Sequence, residues 1–350
     1  MKIQNLSKSA SIRAKAVRIV WGLLICLMLS DVGAEQRDAR LPKVKERGFL
    51  TCGVRSNFAG FSQIDHNGNY AGLEVDLCRA ISSAIFGVQN KVRFSEIDTV
   101  RQFLESPDID IVFHGLTWTF AREAGSRFRF GPIYFYDGQS FLVSKKSRIS
   151  SAKQLSGFTI CVAAKHEMLS NLRHFTRMNR LAISELVMNN EEEAIAGFIT
   201  GRCNSYSSDI SQLASVLLSK RQNVKQHKVL PEIISKEPLA PIVRSGDEQF
   251  LDVVRWTIYA TIAAEELEIS SSSVDVMLKN GNSHVKSFLY MPEAERLGLE
   301  PNWAYHVIRN VGNYGEIFAR NVGIASPVRL GRGLNNLWGT GGLLYAPPIP

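Results

Sequence analysis

The chain carries five cysteines, and no two of them form a C-x-x-C pair, which argues against a zinc knuckle or a dithiol redox motif. There is no G-x-S-x-G elbow, no H-E-x-x-H, no Walker loop and no G-x-G-x-x-G turn after a strand. The seven histidines are dispersed without the spacing of metal ligands. Basic residues are scattered rather than clustered with aromatics, so nothing resembles a nucleic-acid footprint. Internal repeats and low-complexity tracts are missing as well. These absences leave no legible enzyme class, metal site or cofactor site.

What is present is the composition of a globular protein with a sizeable core: 45% hydrophobic and 21% charged residues over 350 positions, enough for two domains. The first residues read as an export signal. Lys2, Lys8, Arg13, Lys15 and Arg18 precede an apolar run over residues 19–29, and small residues Val32-Gly33-Ala34 offer a cleavage site before Glu35. The run is too short to span a bilayer comfortably. Cleavage after Ala34 would remove five basic residues and one acidic one, reducing the formal charge from +8 to +4. Four cysteines would remain: Cys52, Cys78, Cys161 and Cys203. An even count in an exported chain favours disulfides, and three pairings are possible.

From residue 49 onward, short apolar strands alternate with amphipathic helices. Residues 49–54, 92–94 and 109–113 read as strands, and Leu77, Ala80, Ile81, Ala84 and Ile85 recur at helical spacing. The rhythm restarts after residue 138, with strands at 158–162 and 203–206 and a helix over 191–198. It predicts mainly parallel sheets with helices on both faces. Leu251, Val254, Ile258 and Ile262 define a long helix with one apolar face. The tail from residue 301 is rich in Gly, Pro and Trp and is expected to wrap the surface as short helices and loops.

Two strand-to-helix junctions carry candidate chemistry, since ligands bind at the carboxyl ends of parallel strands. In Gly115-Leu116-Thr117-Trp118-Thr119-Phe120-Ala121-Arg122, Thr119 is a candidate N-cap, and Arg122 could hold a carboxylate through two hydrogen bonds. The alternative is an ordinary capped helix with a solvated arginine. Asp209, in Ser207-Ser208-Asp209, could accept from an ammonium or merely cap a helix. Phe58, after the first strand, could cover a ligand or pack in the core.

The matching residues then accumulate. Gly60-Phe61-Ser62, Gly72-Leu73-Glu74-Val75-Asp76-Leu77, Thr117-Trp118-Thr119 with Arg122, and Tyr136-Asp137-Gly138-Gln139 are followed by Gly201-Arg202-Cys203 and the stretch over residues 229–239. Trp303-Ala304-Tyr305, Val311-Gly312-Asn313-Tyr314-Gly315-Glu316 and Tyr345-Ala346-Pro347-Pro348 complete the set. On these, the chain resembles the periplasmic polar and general L-amino-acid-binding proteins of ABC transporters, solute-binding protein family 3.

The resemblance implies an α/β, two-lobed periplasmic-binding-protein fold of type II, with two crossover strands as hinge. The first lobe would be discontinuous, residues 35–138 plus 230–350, and the second would span 139–229. It implies a monomer that captures an L-amino acid and delivers it to an inner-membrane ABC permease, without a cofactor and without catalysis. By position, Arg122 would grip the ligand carboxylate with Thr117 and Thr119 in support, Asp209 would hold the amino group, and Phe58 would stack over the ligand. On that fold Cys52–Cys78 and Cys161–Cys203 each pair within one lobe, whereas pairing across lobes would obstruct hinge motion.

The sequence also departs from the family. Lys165-His166-Glu167 replaces a Gly-Thr-Thr turn, bringing Lys165 and His166 into the expected site, and Ser208 replaces a second Asp. Arg55 stands where binders of cationic amino acids carry an acid. The added cations imply a preference for acidic or neutral side chains. Two other readings share the fold: a drifted relative that binds another small anion or serves in sensing, and a lyase of the cyclohexadienyl dehydratase type. The latter needs a pocket acid, for which Glu167 is the candidate in the altered turn.

Overall fold

The computed structural model describes residues 39–65, 67–218 and 226–349, so the expected export signal over residues 1–34 lies outside the described residues. Two units are distinguished, with a boundary after Arg47. The first contributes α1 (Arg40–Arg47), whose last turn carries Lys45 and Arg47 where cations complement the helix dipole. The second unit, from Gly48 onward, holds everything that follows. No helix among the described residues is long and apolar enough to cross a membrane.

The second unit begins with β1 (Leu50–Val54), a strand with four of its five residues buried. A three-stranded meander follows: β2 (Asn57–Phe58), β3 (Ser62–Ile64) and β4 (Tyr70–Ala71). The turn into α2 (Leu73–Phe86) requires a glycine, because Gly72 has φ +135° and a Cβ there would lie 2.2 Å from the Phe61 carbonyl oxygen. The expected helical stripe of α2 is buried throughout. Next come β5 (Val92–Glu96), α3 (Val100–Glu105), β6 (Ile111–Val112), α4 (Phe120–Glu123) and β7 (Phe128–Phe130).

From β7 the chain crosses through β8 (Phe135–Asp137) into β9 (Gln139–Ser144), β10 (Thr159–Ala163), α5 (His166–Met178), β11 (Ser184–Met188), α6 (Glu191–Ile199), β12 (Ser205–Asp209), α7 (Ile210–Leu218) and β13 (His227–Val229). It returns through β14 (Glu237–Leu239) to β15 (Ile242–Arg244). The result is two five-stranded sheets, ordered β5-β1-β6-β15-β7 and β11-β10-β12-β9-β13, joined by the antiparallel pair β8–β14. This is the two-lobed fold with a two-stranded hinge.

The sheets are mixed rather than mainly parallel. β1, β5 and β6 are parallel, as are β10, β11 and β12, but β15 and β9 enter antiparallel. The cause is topological: β9 and β15 arrive from the other lobe, not over a helical βαβ crossover that would enforce parallel pairing. The strand expected at 203–206 lies at Ser205–Asp209, and it is held by tertiary bonds rather than strand propensity. Ser207 Oγ donates to the Ser140 carbonyl at 3.0 Å and accepts from Gln139 Nε2 at 2.9 Å.

Each lobe is closed by one disulfide. Cys52 in β1 joins Cys78 in α2 across a Cα–Cα distance of 6.3 Å, and Cys161 in β10 joins Cys203 across 5.7 Å. With sequence separations of 26 and 42 residues, loop-closure entropy gives each bond about 3–4 kcal/mol of stability. Reduction under native conditions is therefore expected to lower the urea midpoint sharply, and Cys→Ser variants in either pair should reproduce part of the loss. A midpoint unmoved by reductant would contradict this.

The rest of the chain packs on the first lobe. α8 (Glu248–Glu266) buries Leu251, Val254, Ile258 and Ile262. It is followed by α9 (Val274–Asn280), α10 (Ser283–Leu289), α11 (Trp303–Val311) and α12 (Tyr314–Asn321). The tail does more than wrap the surface, because it reaches the hinge. Tyr314 Oη donates to the Tyr134 carbonyl at 2.6 Å, and Phe318 stacks on Phe135. The buried Asn335 amide pairs with both backbone groups of Tyr136, accepting at 2.7 Å and donating at 3.0 Å. One side chain thereby serves as a neighbouring strand for β8.

Candidate ligand site

The first lobe contributes the segment between β6 and α4. Thr119 caps α4, its Oγ1 accepting from the Arg122 N–H at 3.3 Å. The Arg122 guanidinium is fixed from one side by Nη1, which donates to the Thr117 carbonyl at 2.8 Å. Its Nη2 faces Glu167 Oε1 of the second lobe at 3.5 Å. The buried Thr117 hydroxyl donates to Glu237 Oε2 at 2.8 Å, so it tethers the hinge strand β14.

Beneath this segment lies a rigid wall. Gly115 has φ +59°, and a Cβ there would meet Phe58 at 2.9 Å, so this turn needs a glycine. The Gly115 N–H donates to Glu74 Oε1 at 2.7 Å, and the same buried carboxylate accepts from Ser62 and Tyr134. Burial raises the Glu74 pKa despite these bonds. His114 is pushed the other way, to about 4, mainly by burial and then by the Arg55 charge, so it is neutral at physiological pH.

Phe58 belongs to this wall. It is buried, stacks on Phe61 with centroids 4.4 Å apart, and has the Arg55 guanidinium 4.7 Å from its ring centroid. The Phe58 ring thus packs in this wall with Arg55 over it.

The second lobe contributes the starts of α5 and α6 and the end of β12. Lys165 precedes α5, and its Nζ lies 3.0 Å from Glu191 Oε1. Glu191 also accepts from Tyr206 and Ser208. The Lys165 charge is therefore met within its own lobe. His166 opens α5, and its side chain lies outside the described residues.

Asp209 is not a helix cap but the last residue of β12. Its Oδ1 is buried and has no hydrogen-bond partner among the described residues. Burial raises its pKa well above the ordinary carboxylate value; Asp137 and Glu237 add to the rise, and Lys165 opposes it. Asp137 and Glu237 stand opposite each other in the β8–β14 hinge. Asp137 Oδ1 accepts from the Gly138 and Ser211 N–H groups, yet burial holds its pKa at about 6. Glu237 also accepts from Asn171 at 3.4 Å. Three carboxylates thus gather at the hinge, and Thr117, whose carbonyl holds the Arg122 guanidinium, donates to one of them. Such a set can accept an ammonium at one end and a carboxylate at the other.

Sequence reasoning missed Asp137, Glu237 and Glu191. The first two lay in stretches already matched to the family, and the signal was an acid within an apolar crossover strand.

The linkage of Asp137 is testable. Its pKa rises on folding from 3.8 to about 6, so the folded state keeps a proton that the unfolded chain releases. Stability from this group is complete below about pH 4 and is lost as pH rises to about 6, by about 3 kcal/mol at most. Urea unfolding of ligand-free protein should show this slope, and Asp137→Asn should flatten it. An identical slope in the variant would contradict the assignment.

Two lobes with helices capping a pair of mixed sheets, a two-stranded hinge and a charged cleft define a hinged solute receptor. The family profile of bacterial extracellular solute-binding proteins, family 3, matches residues 50–272, and the chain belongs to that family. It is similar to the general L-amino acid-binding periplasmic protein AapJ of Rhizobium johnstonii, 43% identical over 91% of this chain and 95% of the relative. The glutamate/glutamine/aspartate/asparagine-binding protein BztA of Rhodobacter capsulatus is 38% identical over 88% and 93%. Among solved structures, a periplasmic binding protein from Brucella ovis with glutathione bound superposes with a TM-score of 0.81. It is 41% identical, covering 89% of this chain and 99% of that one.

Proposed function

We propose that this protein is a periplasmic receptor that captures an L-amino acid, or a small peptide presenting an amino-acid end, and delivers it to an ABC permease as a monomer. Arg122 would take the α-carboxylate, with Thr119 and Thr117 fixing its backbone and guanidinium. Asp209, supported by Asp137 and Glu237, would take the ammonium. The observation that carries this reading is the buried, unpartnered Oδ1 of Asp209, in the same lobe as Glu167, the residue that faces Arg122. A buried acceptor without a donor is costly, and a ligand ammonium would relieve that cost. The names of the relatives, which bind L-amino acids, their amides or glutathione, support the same ligand class.

Binding is favoured over catalysis. Glu167, the acid required by the lyase reading, is half-exposed and engages Arg122 rather than sitting in a dry pocket. Lys165 and His166, at the start of α5, would frame the second lobe's side of the ligand, with Lys165 committed to Glu191. A thermal-shift series over the common amino acids and glutathione tests the proposal. A true ligand at about a thousandfold over its Kd stabilises by about 4 kcal/mol. If no amino acid and no glutathione raises the midpoint, the reading fails.

A further inference from the structure

We infer that Glu167 is an intramolecular stand-in for the ligand carboxylate, occupying Arg122 from across the cleft and competing with the solute for it. The inference rests on the reading of Arg122 given above. Arg122 is anchored through Nη1 to the Thr117 carbonyl, which leaves Nη2 directed at the cleft. The group it meets is Oε1 of Glu167 at 3.5 Å, a carboxylate from the opposite lobe. Glu167 lies in the first turn of α5, a 13-residue helix whose N-terminal end favours an acid. The cation nearest in sequence, Lys165, does not neutralise it, being paired with Glu191. The altered turn thus supplies one cation that is matched within its lobe and one anion directed at the other lobe.

The Glu167 side chain is 55% exposed, so a ligand carboxylate can displace it without opening a buried pocket. Two consequences follow. Without ligand, the ion pair links the lobes and holds the cleft partly closed. With ligand, the displaced carboxylate stays near a second negative charge, which weakens binding of any solute that needs Arg122 and penalises an acidic side chain further. Glu167 is then a specificity-determining residue that lowers affinity for the sake of exchange.

The test uses the full mature chain and the variants Glu167→Gln and Arg122→Ala, with L-glutamine, L-glutamate and L-glutaminamide as probes. The amide lacks the α-carboxylate. Glu167→Gln should bind L-glutamine roughly two- to fivefold tighter than the parent, the range for an exposed ion pair. The gain should be larger for L-glutamate, absent for L-glutaminamide, and should shrink in about 1 M salt. Small-angle scattering of ligand-free protein should show both variants more open than the parent, whether or not a probe binds. Weaker L-glutamine binding by Glu167→Gln would make Glu167 a ligand contact and overturn the inference. Unchanged binding with unchanged scattering would reduce the pair to a surface contact and overturn it equally. If Arg122→Ala leaves L-glutamine binding intact, the reading of Arg122 fails instead, and the scattering alone then decides whether Glu167 latches the lobes.

Discussion

Arg122→Ala is expected to weaken capture of the solute by roughly ten- to a hundredfold while leaving the fold in place. A charge-assisted hydrogen bond to a carboxylate contributes about 1.5–3 kcal/mol, and the loss is felt in full where the lobes exclude water. The fold should tolerate the change because the side chain is partly exposed and its one short bond is to a carbonyl in its own loop. The Thr119 cap depends on the Arg122 backbone N–H, which alanine retains. Titration calorimetry with the best ligand from the thermal-shift series, alongside circular dichroism, measures both sides. Unchanged affinity would remove Arg122 from the site. Loss of the folded signal would make it a structural residue.

The second large effect has opposite signs for stability and for binding. Asp209→Asn should make the ligand-free protein more stable by about 1–3 kcal/mol, because it removes an acid whose ionisation the fold opposes and whose Oδ1 has no donor. The same change should weaken binding of an ammonium-bearing solute by about a hundredfold, since the amide offers no charge. The raised pKa adds a further signature. Burial and the neighbouring acids favour the protonated form of Asp209 in the ligand-free protein, whereas a bound ammonium favours the carboxylate, so binding should shift Asp209 toward its ionised form and release protons. The apparent enthalpy should then vary with the ionisation enthalpy of the buffer, and that dependence should diminish in Asp209→Asn. Asp137 would still contribute some of it, being a buried acid next to Asp209. An Asp209→Asn protein that is less stable and binds equally well would show that Asp209 is an ordinary structural residue.

The hinge ties these effects together. Asp137 and Glu237 are register partners on β8 and β14, and Glu237 accepts from Thr117 in one lobe and Asn171 in the other. Charge at the hinge and closure of the cleft are therefore expected to be coupled. The C-terminal region holds the residue before β8 through Tyr314 and the first two residues of β8 through Phe318 and Asn335. That region lies beyond residues 50–272, where the family profile matches.

Local sequence determined much of this protein. The apolar runs that became β1 and β10 and the helical stripe of α2 follow from periodicity, because each needs only its own side chains to define a buried face. The Thr119–Arg122 cap was legible for the same reason, being a contact over three residues. Other features depended on partners far away in the chain. Ser205–Asp209 is poor strand sequence, and it forms β12 because β9 and β10 supply its ladder on both sides. Phe58 packs against Phe61, Gly115 and the guanidinium of Arg55, contacts that its neighbours in sequence do not reveal. The sequence counted Lys165 as an added positive charge, and Glu191, 26 residues on, meets it. Asp137, Asp209 and Glu237 converge only once two lobes are joined through one hinge. The pKa values of Asp137 and Asp209 are raised by that burial and by the neighbouring acids, and no spacing along the chain encodes either.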